Sequence, residues 1–321
     1  EDWQPLEELT AVDWLTRLSG RSVVERIWLP LLRAKLGDNA QRVSAAFIWT
    51  IIKRMYGARS SAGKSECFGY VPGGYARILE RLLAYLAERG VDVETGVGVE
   101  RVVPAAGERV RVERTDGTGE TFDAVAVTVP AAVAAGICGE LSPSERDRLS
   151  GIDYQGVVCA SLLLRRPLSP YYITNITDPA PFTAVIEMDA LTGTQPFGGH
   201  ALVYLPKYVA SSDPAFGKPD REIAAEFLEA LRRMHPSLSD GDLVALRVAK
   251  ARYVLPLSTL HYSERTPPFT TSIPNLYLAN STQIVNGTLN VNQTLTLGKA
   301  AADAIERDRA SRPARRVEAC A

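Results

Sequence analysis

Few residues in this chain are of types that do chemistry, and their spacing narrows the choices quickly. His200, His235 and His261 are isolated from one another, and Cys67, Cys138, Cys159 and Cys320 form no Cys-x-x-Cys pair and have no His nearby. That pattern supports neither a zinc site nor a metal triad, and four scattered Cys in a long chain do not suggest a disulfide framework. No metal is expected, and a reducing cytoplasm is the default location. Two stretches remain that could serve a ligand. The first is Gly73-Gly74 in "YVPGGYARILERLL". A Gly pair before a helix leaves free N–H groups that suit an anion, and it equally well lets the chain turn tightly. The second is the polar Asn/Thr/Gly loop in "NLYLANSTQIVNGTLNVNQTLTLGKAAADAI". It lies between a short apolar strand and a helix expected from about Gln293, a position where α/β proteins place ligands.

These stretches must be held by regular elements. After the Gly pair, Ile78, Leu79, Leu82, Leu83 and Leu86 recur as one apolar helix face, Gly90 suits a helix end, and Val91 and Val93 begin an alternating pattern. Helix followed at once by strand predicts a mixed α/β fold. Residues 6–60 read as helical. "SVVERIWLPLLRAKLG" gathers Val23, Val24, Ile27, Trp28, Leu31 and Leu32 on one broad face, with Pro30 set to kink or divide it. That face suits packing over a substrate cavity or lying on a membrane surface. "VSAAFIWTIIKRMYG" (43–57) is similarly amphipathic. From 91 onward "VGVERVV", "ERVRVERTDG" and "GETFDAVAVTVP" predict an antiparallel meander turning at 105–107 and 116–119. Strands are also predicted at 154–167, 182–189, 198–206 and 243–256, with a helix at 220–236. Gly298 and Ala300–Ala302 would let the last helix lie close to a sheet or ligand.

Composition excludes other classes. At 321 residues the chain has room for two domains or one large one, and its 46% apolar content describes a soluble globular protein. A net charge of −1 gives no electrostatic case for nucleic acid. No apolar run approaches the ~18 residues of a transmembrane helix. The start "EDWQPLEELTAVDW" has neither Met nor a signal core, and "ERDRASRPARR" (306–316) reads as a solvated tail.

"YVPGGYARILERLLAYLAERGVDVETGVGVERV", "FDAVAVTVPA" and "NLYLANSTQIVNGTLNVNQTLTLGKAAADAI" follow one another in an order that resembles FAD-dependent amine-oxidase-like flavoproteins. That superfamily includes protoporphyrinogen oxidases and phytoene-desaturase-like enzymes. "GGHALVYLPKYVASSDPAF" resembles a bacterial branch of it, and the likeness spans roughly 15–310. It implies that Gly73-Gly74 is structural, that Val99 matches the backbone contact to the flavin adenine, and that Asn280-Ser281 stands at the contact to phosphate and ribityl. Thr294 and Leu295 would then lie where a helix N-terminus meets the flavin, where its dipole suits an anionic reduced ring. Tyr204, Tyr253 and Tyr262 are candidates for lining the substrate cavity, against the alternative of ordinary strand packing. Catalytic residues are not identified.

Three departures qualify the resemblance. No G-x-G-x-x-G is present, since "GVG" (96–98) and "GTG" (117–119) lack the third Gly. Roughly the first hundred residues of the family fold, judged by the size of α/β units, are therefore expected to lie outside this chain. The family's acid after the last strand is replaced at Asn280-Ser281, and the Lys that many members carry near flavin N5 is absent, with Ala160 near that place. The expected organisation is a substrate domain from 1–67 and 151–268, a partial FAD-like domain from 68–150 and 269–310, and a tail at 311–321. In it, 91–99 and 275–280 share a sheet. The expected function is the C-terminal portion of an FAD-dependent oxidoreductase that moves hydride from a C–H or C–N bond of a small or apolar substrate to flavin N5. The chain by itself is expected to lack stoichiometric FAD. The alternative is a cofactor-free binding or scaffold protein on the same fold. A preceding segment, or a second copy of the chain, is expected to cover apolar strands at 120–130 and 275–280.

Overall fold

A computed structural model of the chain describes residues 2–57, 69–285 and 289–311. Cys67, Cys320 and the tail beyond 311 fall outside the described residues. Along the chain the strands are β1 (Val99–Ala105), β2 (Arg109–Arg114), β3 (Gly119–Phe122), β4 (Val125–Val127), β5 (Tyr154–Leu164), β6 (Ile173–Asn175), β7 (Ala184–Glu187), β8 (Ala201–Ala210), β9 (Leu243–Pro256) and β10 (Leu276–Leu278). They fall into two compact units. One comprises Glu1–Val93 with Tyr154–Leu260, and the other Glu94–Asp153 with His261–Ala321. Residues 68–93, expected with the FAD-like segments, group with the first unit.

The first unit is built on a five-stranded antiparallel sheet in the order β6-β7-β8-β5-β9. Alternation along β5 decides its two faces. Val158, Ala160, Leu162 and Leu164 are buried, whereas Val157, Cys159, Ser161 and Leu163 are only half-buried. The buried face, joined by Val203 and Leu205, packs against Ile223, Phe227, Ala230 and Leu231 of the helix Asp220–Met234. Each large apolar side chain so covered contributes roughly 1.5–3 kcal/mol. Phe182 stacks edge-on against Phe227 with ring centres 5.6 Å apart.

The helices of this unit start as their sequence dictates. Thr10 caps Ala11–Ser19 by accepting the Asp13 N–H. Residues 21–36 run as one helix with a π turn at Val24–Trp28, immediately before Pro30. Pro30 has no N–H and its ring crowds the carbonyl four residues back, so the helix widens by one residue instead of breaking. The broad apolar face expected there divides: Val24 and Leu32 are buried with Leu15, Phe47 and Leu257, while Val23, Ile27 and Leu31 are exposed.

The Gly pair proves to be a turn. Gly73 and Gly74 both have positive φ, at 90° and 64°, and the Gly74 N–H is spent on the Val71 carbonyl at 2.7 Å. The helix Gly74–Ala87 that follows buries none of its residues. Residues 91–98 form no strand, and Val91, Val93 and Val97 are exposed. Asp92, Glu94 and Gly96 interrupt that run, and among the described residues no strand pairs with it.

The second unit holds the meander β1-β2-β3, with Val102 and Val110 buried, and a two-stranded parallel pair, β4 with β10. Here the expectation is corrected: β10 pairs with β4 and lies in a different sheet from Val99. The meander stops at β3 because Val125–Val127 takes the parallel partner, Leu276 opposite Val125. The apolar strand surface expected at 275–280 is also not open. Leu276, Tyr277 and Leu278 are all buried, and the Tyr277 hydroxyl donates to Asp308 at 2.7 Å.

Candidate functional site

In the second unit the chain leaves β10 and enters a tight turn at Ser281–Gln283. Asn280 caps it. Its Oδ1 accepts the Thr282 N–H at 3.1 Å and the Thr282 hydroxyl at 2.6 Å, while its own N–H donates to Gln283 Oε1 at 2.8 Å. Gln283 Nε2 reaches back to the Leu278 carbonyl at 3.0 Å, and the Tyr262 hydroxyl donates to the Thr282 carbonyl at 2.8 Å. The turn is thus over-determined by its own side chains.

One atom is left over. Asn280 is 3% exposed, and its Nδ2 has no partner among the described residues. Leaving a buried donor unpaired costs roughly 1–3 kcal/mol, so such an atom needs an explanation. It sits just past the carboxyl end of a parallel strand, where doubly wound proteins hold nucleotide ligands. Phosphate and ribityl oxygens are acceptors, so the Asn280 amide and the neighbouring Ser281 hydroxyl fit a flavin nucleotide there. An acid at this position could only accept at neutral pH; Asn280-Ser281 offers donors instead.

The other residues singled out from the sequence fall in several places. Val99 is the first residue of β1 and is exposed, opposite Arg114. Thr294 and Leu295 belong to the first turns of the helix Val291–Ser311, where the Thr294 hydroxyl bonds back to the Asn290 carbonyl at 2.9 Å and Leu295 is exposed. Tyr262 is buried in the second unit, where its hydroxyl meets the Thr282 carbonyl. Tyr253 lies on β9 and packs edge-on against Tyr154 at 5.3 Å. Tyr204 is on β8, on the half-open face of the five-stranded sheet.

That half-open face also carries Cys159 and, on β8, Tyr208. Burial pushes the Cys159 thiol up to about 11, so it is neutral at physiological pH and no ready nucleophile. Burial and the neighbouring Cys159 also raise Tyr204 and Tyr208, which keeps both phenols protonated as donors. The signal for this face lay in the alternation of "GVVCASLLLRRP", which puts Cys159 and Ser161 opposite the buried aliphatics. Among the described residues no three His, Cys, Asp or Glu side chains gather to hold a metal ion. No described helix is long and apolar enough to cross a membrane.

Residues 3–306 match the family model described as flavin-containing amine oxidoreductase. The chain belongs to this family. Solved structures with the same fold include an oxidoreductase from Methanosarcina mazei, with a TM-score of 0.68, 16% identity, and coverage of 93% of this chain and 68% of that one. A protein provisionally named as a protoporphyrinogen oxidase, from Exiguobacterium sp. 255-15, gives a TM-score of 0.70 at 16% identity, covering 95% of this chain and 67% of that one. Among curated proteins none matches significantly in sequence. Membership of a flavin-containing family accords with the donor geometry at Asn280.

Proposed function

We propose that this chain is part of an FAD-dependent oxidoreductase acting on a small or apolar molecule at a C–H or C–N bond. The observation that carries the reading is the buried, unpartnered amide of Asn280 past the end of β10, in a chain of the flavin-containing amine oxidoreductase family. Bound flavin would supply the hydride acceptor. The chain's own residues do the rest. Asn280 and Ser281 would donate to phosphate or ribityl oxygens, and Tyr262 would keep their turn in place. Val99, Thr294 and Leu295 remain the proposed contacts to the adenine end and the ring. The half-open face of the five-stranded sheet, with Tyr204 protonated, is by itself an apolar surface with few ionisable groups, of the kind that takes an apolar molecule.

Asn280→Asp tests this directly, because it keeps an oxygen that can accept from Thr282 and replaces the spare donor with an acceptor oxygen that repels phosphate. In the natural full-length protein, FAD affinity should fall by about 10-fold or more, the loss of a buried hydrogen bond to a charged group. Unchanged flavin affinity in a folded Asn280→Asp protein would contradict this placement. A full-length protein that binds no flavin would favour a cofactor-free binding protein.

A further inference from the structure

The register of the five-stranded sheet aligns one residue from every strand into a single row. Ile173 on β6 lies opposite Ile186 on β7, Ile186 opposite Tyr204 on β8, Tyr204 opposite Ser161 on β5, and Ser161 opposite Arg247 on β9. Residues directly opposite one another share a face, so all five point away from the helix Asp220–Met234. The row changes character along its length. Ile173 and Ile186 are aliphatic, Tyr204 presents a ring and a hydroxyl, Ser161 a hydroxyl, and Arg247 a full positive charge.

The polar end is uncommitted. Arg247 is exposed, Ser161 and Tyr204 are half-exposed, and none of the three has a hydrogen-bond or ion-pair partner among the described residues. This is unusual for the arginines of this sheet region: Arg166 is paired with Asp242, and Arg165 donates to the Gly241 carbonyl. Two residues either way along β9, on the same face, are Ala245 and Ala249, too short to cover the guanidinium. In register with them on β5 are Leu163 and Cys159, neither of which carries charge at neutral pH. This face of the sheet therefore holds an unpaired cation, Arg247, at the edge of an apolar surface.

Resting on the oxidoreductase reading above, we propose that this face takes an elongated apolar substrate bearing a carboxylate, and that Arg247 is its anchor. Guanidinium and carboxylate match as a bidentate pair, with the Ser161 hydroxyl within reach of the same oxygens. A single positive charge matches a singly charged carboxylate better than a doubly charged phosphate. Strands lie ~4.8 Å apart, so the four spacings from Arg247 to Ile173 span roughly 19 Å. The body of the substrate would lie across Tyr204, Ile186 and Ile173. Specificity would follow from polarity: a neutral analogue would leave Arg247 without its charge partner.

The test uses dodecanoate, below its micelle concentration, and dodecan-1-ol, below its solubility limit, as probes titrated calorimetrically into the natural full-length protein, wild type and Arg247→Gln. Dodecanoate should bind wild type more tightly than the alcohol by at least ~10-fold, as a charge-assisted pair provides, and Arg247→Gln should abolish that preference while leaving alcohol binding in place. Arg165→Gln, a variant of a committed arginine, should keep the preference. Equal affinity for the two probes in wild type, or a preference that survives Arg247→Gln, would overturn the proposal. Flavin content measured on the same samples separates the two readings. Retained flavin without carboxylate preference sinks only the anchor, whereas an Arg247-dependent preference in a flavin-free protein sinks only the oxidoreductase.

Discussion

Tyr262 shows how much a residue's type leaves undecided. An aromatic with a hydroxyl near the chain's polar loop suits a substrate cavity, yet its ring is buried and its hydroxyl is spent on the Thr282 carbonyl. Only the fold reveals that partner, because Tyr262 and Thr282 meet through a tight turn that no periodicity encodes. Tyr262→Phe removes the hydroxyl and keeps the ring. Stability should fall by about 1 kcal/mol or somewhat more, read from the urea midpoint, with a matching loss of order in the 280–283 turn. Unchanged stability would mean that the turn is held by Asn280 and Gln283 alone. The pair Asn280-Ser281 was legible as a departure from the family's motif, with the acid lost at Ser281. The orphaned amide of Asn280 was not, since sequence cannot say which half of a side chain is buried unpaired. Arg247 was missed altogether: it reads as one more exposed charge in "LVALRVAKARYVLP" until the strand register sets it beside Ser161 and Tyr204.

Elements with a strong period were legible. The helix at 220–234 and strands β5, β8 and β9 lie close to where apolar spacing puts them, because their buried faces are continuous and long. Pairing was less legible. The alternation at 91–98 reads as strand, but without a neighbour it stays unpaired, and β4 and β10, three residues each, are too short to announce a parallel partner. Close approach leaves its own mark at Gly156 on β5, opposite the irregular stretch of β9. A Cβ there would stand 2.5 Å from the Phe216 ring and 2.9 Å from the carbonyl oxygens of Ala251 and Arg252. Gly156→Ala should therefore cost roughly 1–3 kcal/mol, measured by thermal or urea unfolding. A neutral result would mean that β9 yields there freely.

The helix Pro143–Ser150 gives a pH-dependent element. Glu145 closes its capping box with Ser142 and accepts the Ser272 N–H at 2.6 Å. Burial alone would raise the Glu145 carboxyl, but the hydrogen bonds from Ser142 and Ser272 outweigh it and hold the group below its ordinary value. Its folded value is depressed, so the stabilisation is present above the unfolded carboxylate range and is lost as pH falls through the folded value. Glu145→Gln should be less stable than wild type at pH 7, and the gap should close as the pH is lowered through the carboxylate range. A gap constant with pH would remove the charge from the explanation.

At the scale of the whole molecule the largest surprise is where apolar surface remains. It was expected on the strands near 120–130 and 275–280; Phe122 and Ala126 are exposed, but β10 is buried, and a longer open stripe lies along the helix Gly74–Ala87. Leu79 and Leu82 there are 56% and 48% exposed, beside Ile78 and Leu83. The periodicity of that helix was plain in the sequence; what covers its face was not, because a stripe names no partner. An apolar stripe of this kind drives association. Light scattering on the 321-residue chain should show concentration-dependent self-association that Leu79→Glu with Leu83→Glu suppresses. A monomer at all concentrations would mean that this surface is covered in solution.

Whether this chain serves a flavin oxidoreductase is decided by the visible absorbance of the natural full-length protein after gel filtration. The expected result is the two-banded spectrum of tightly held flavin, diminished in Asn280→Asp, and bleached without oxygen by a substrate whose turnover depends on Arg247. A folded, colourless protein that takes up no added FAD would contradict it.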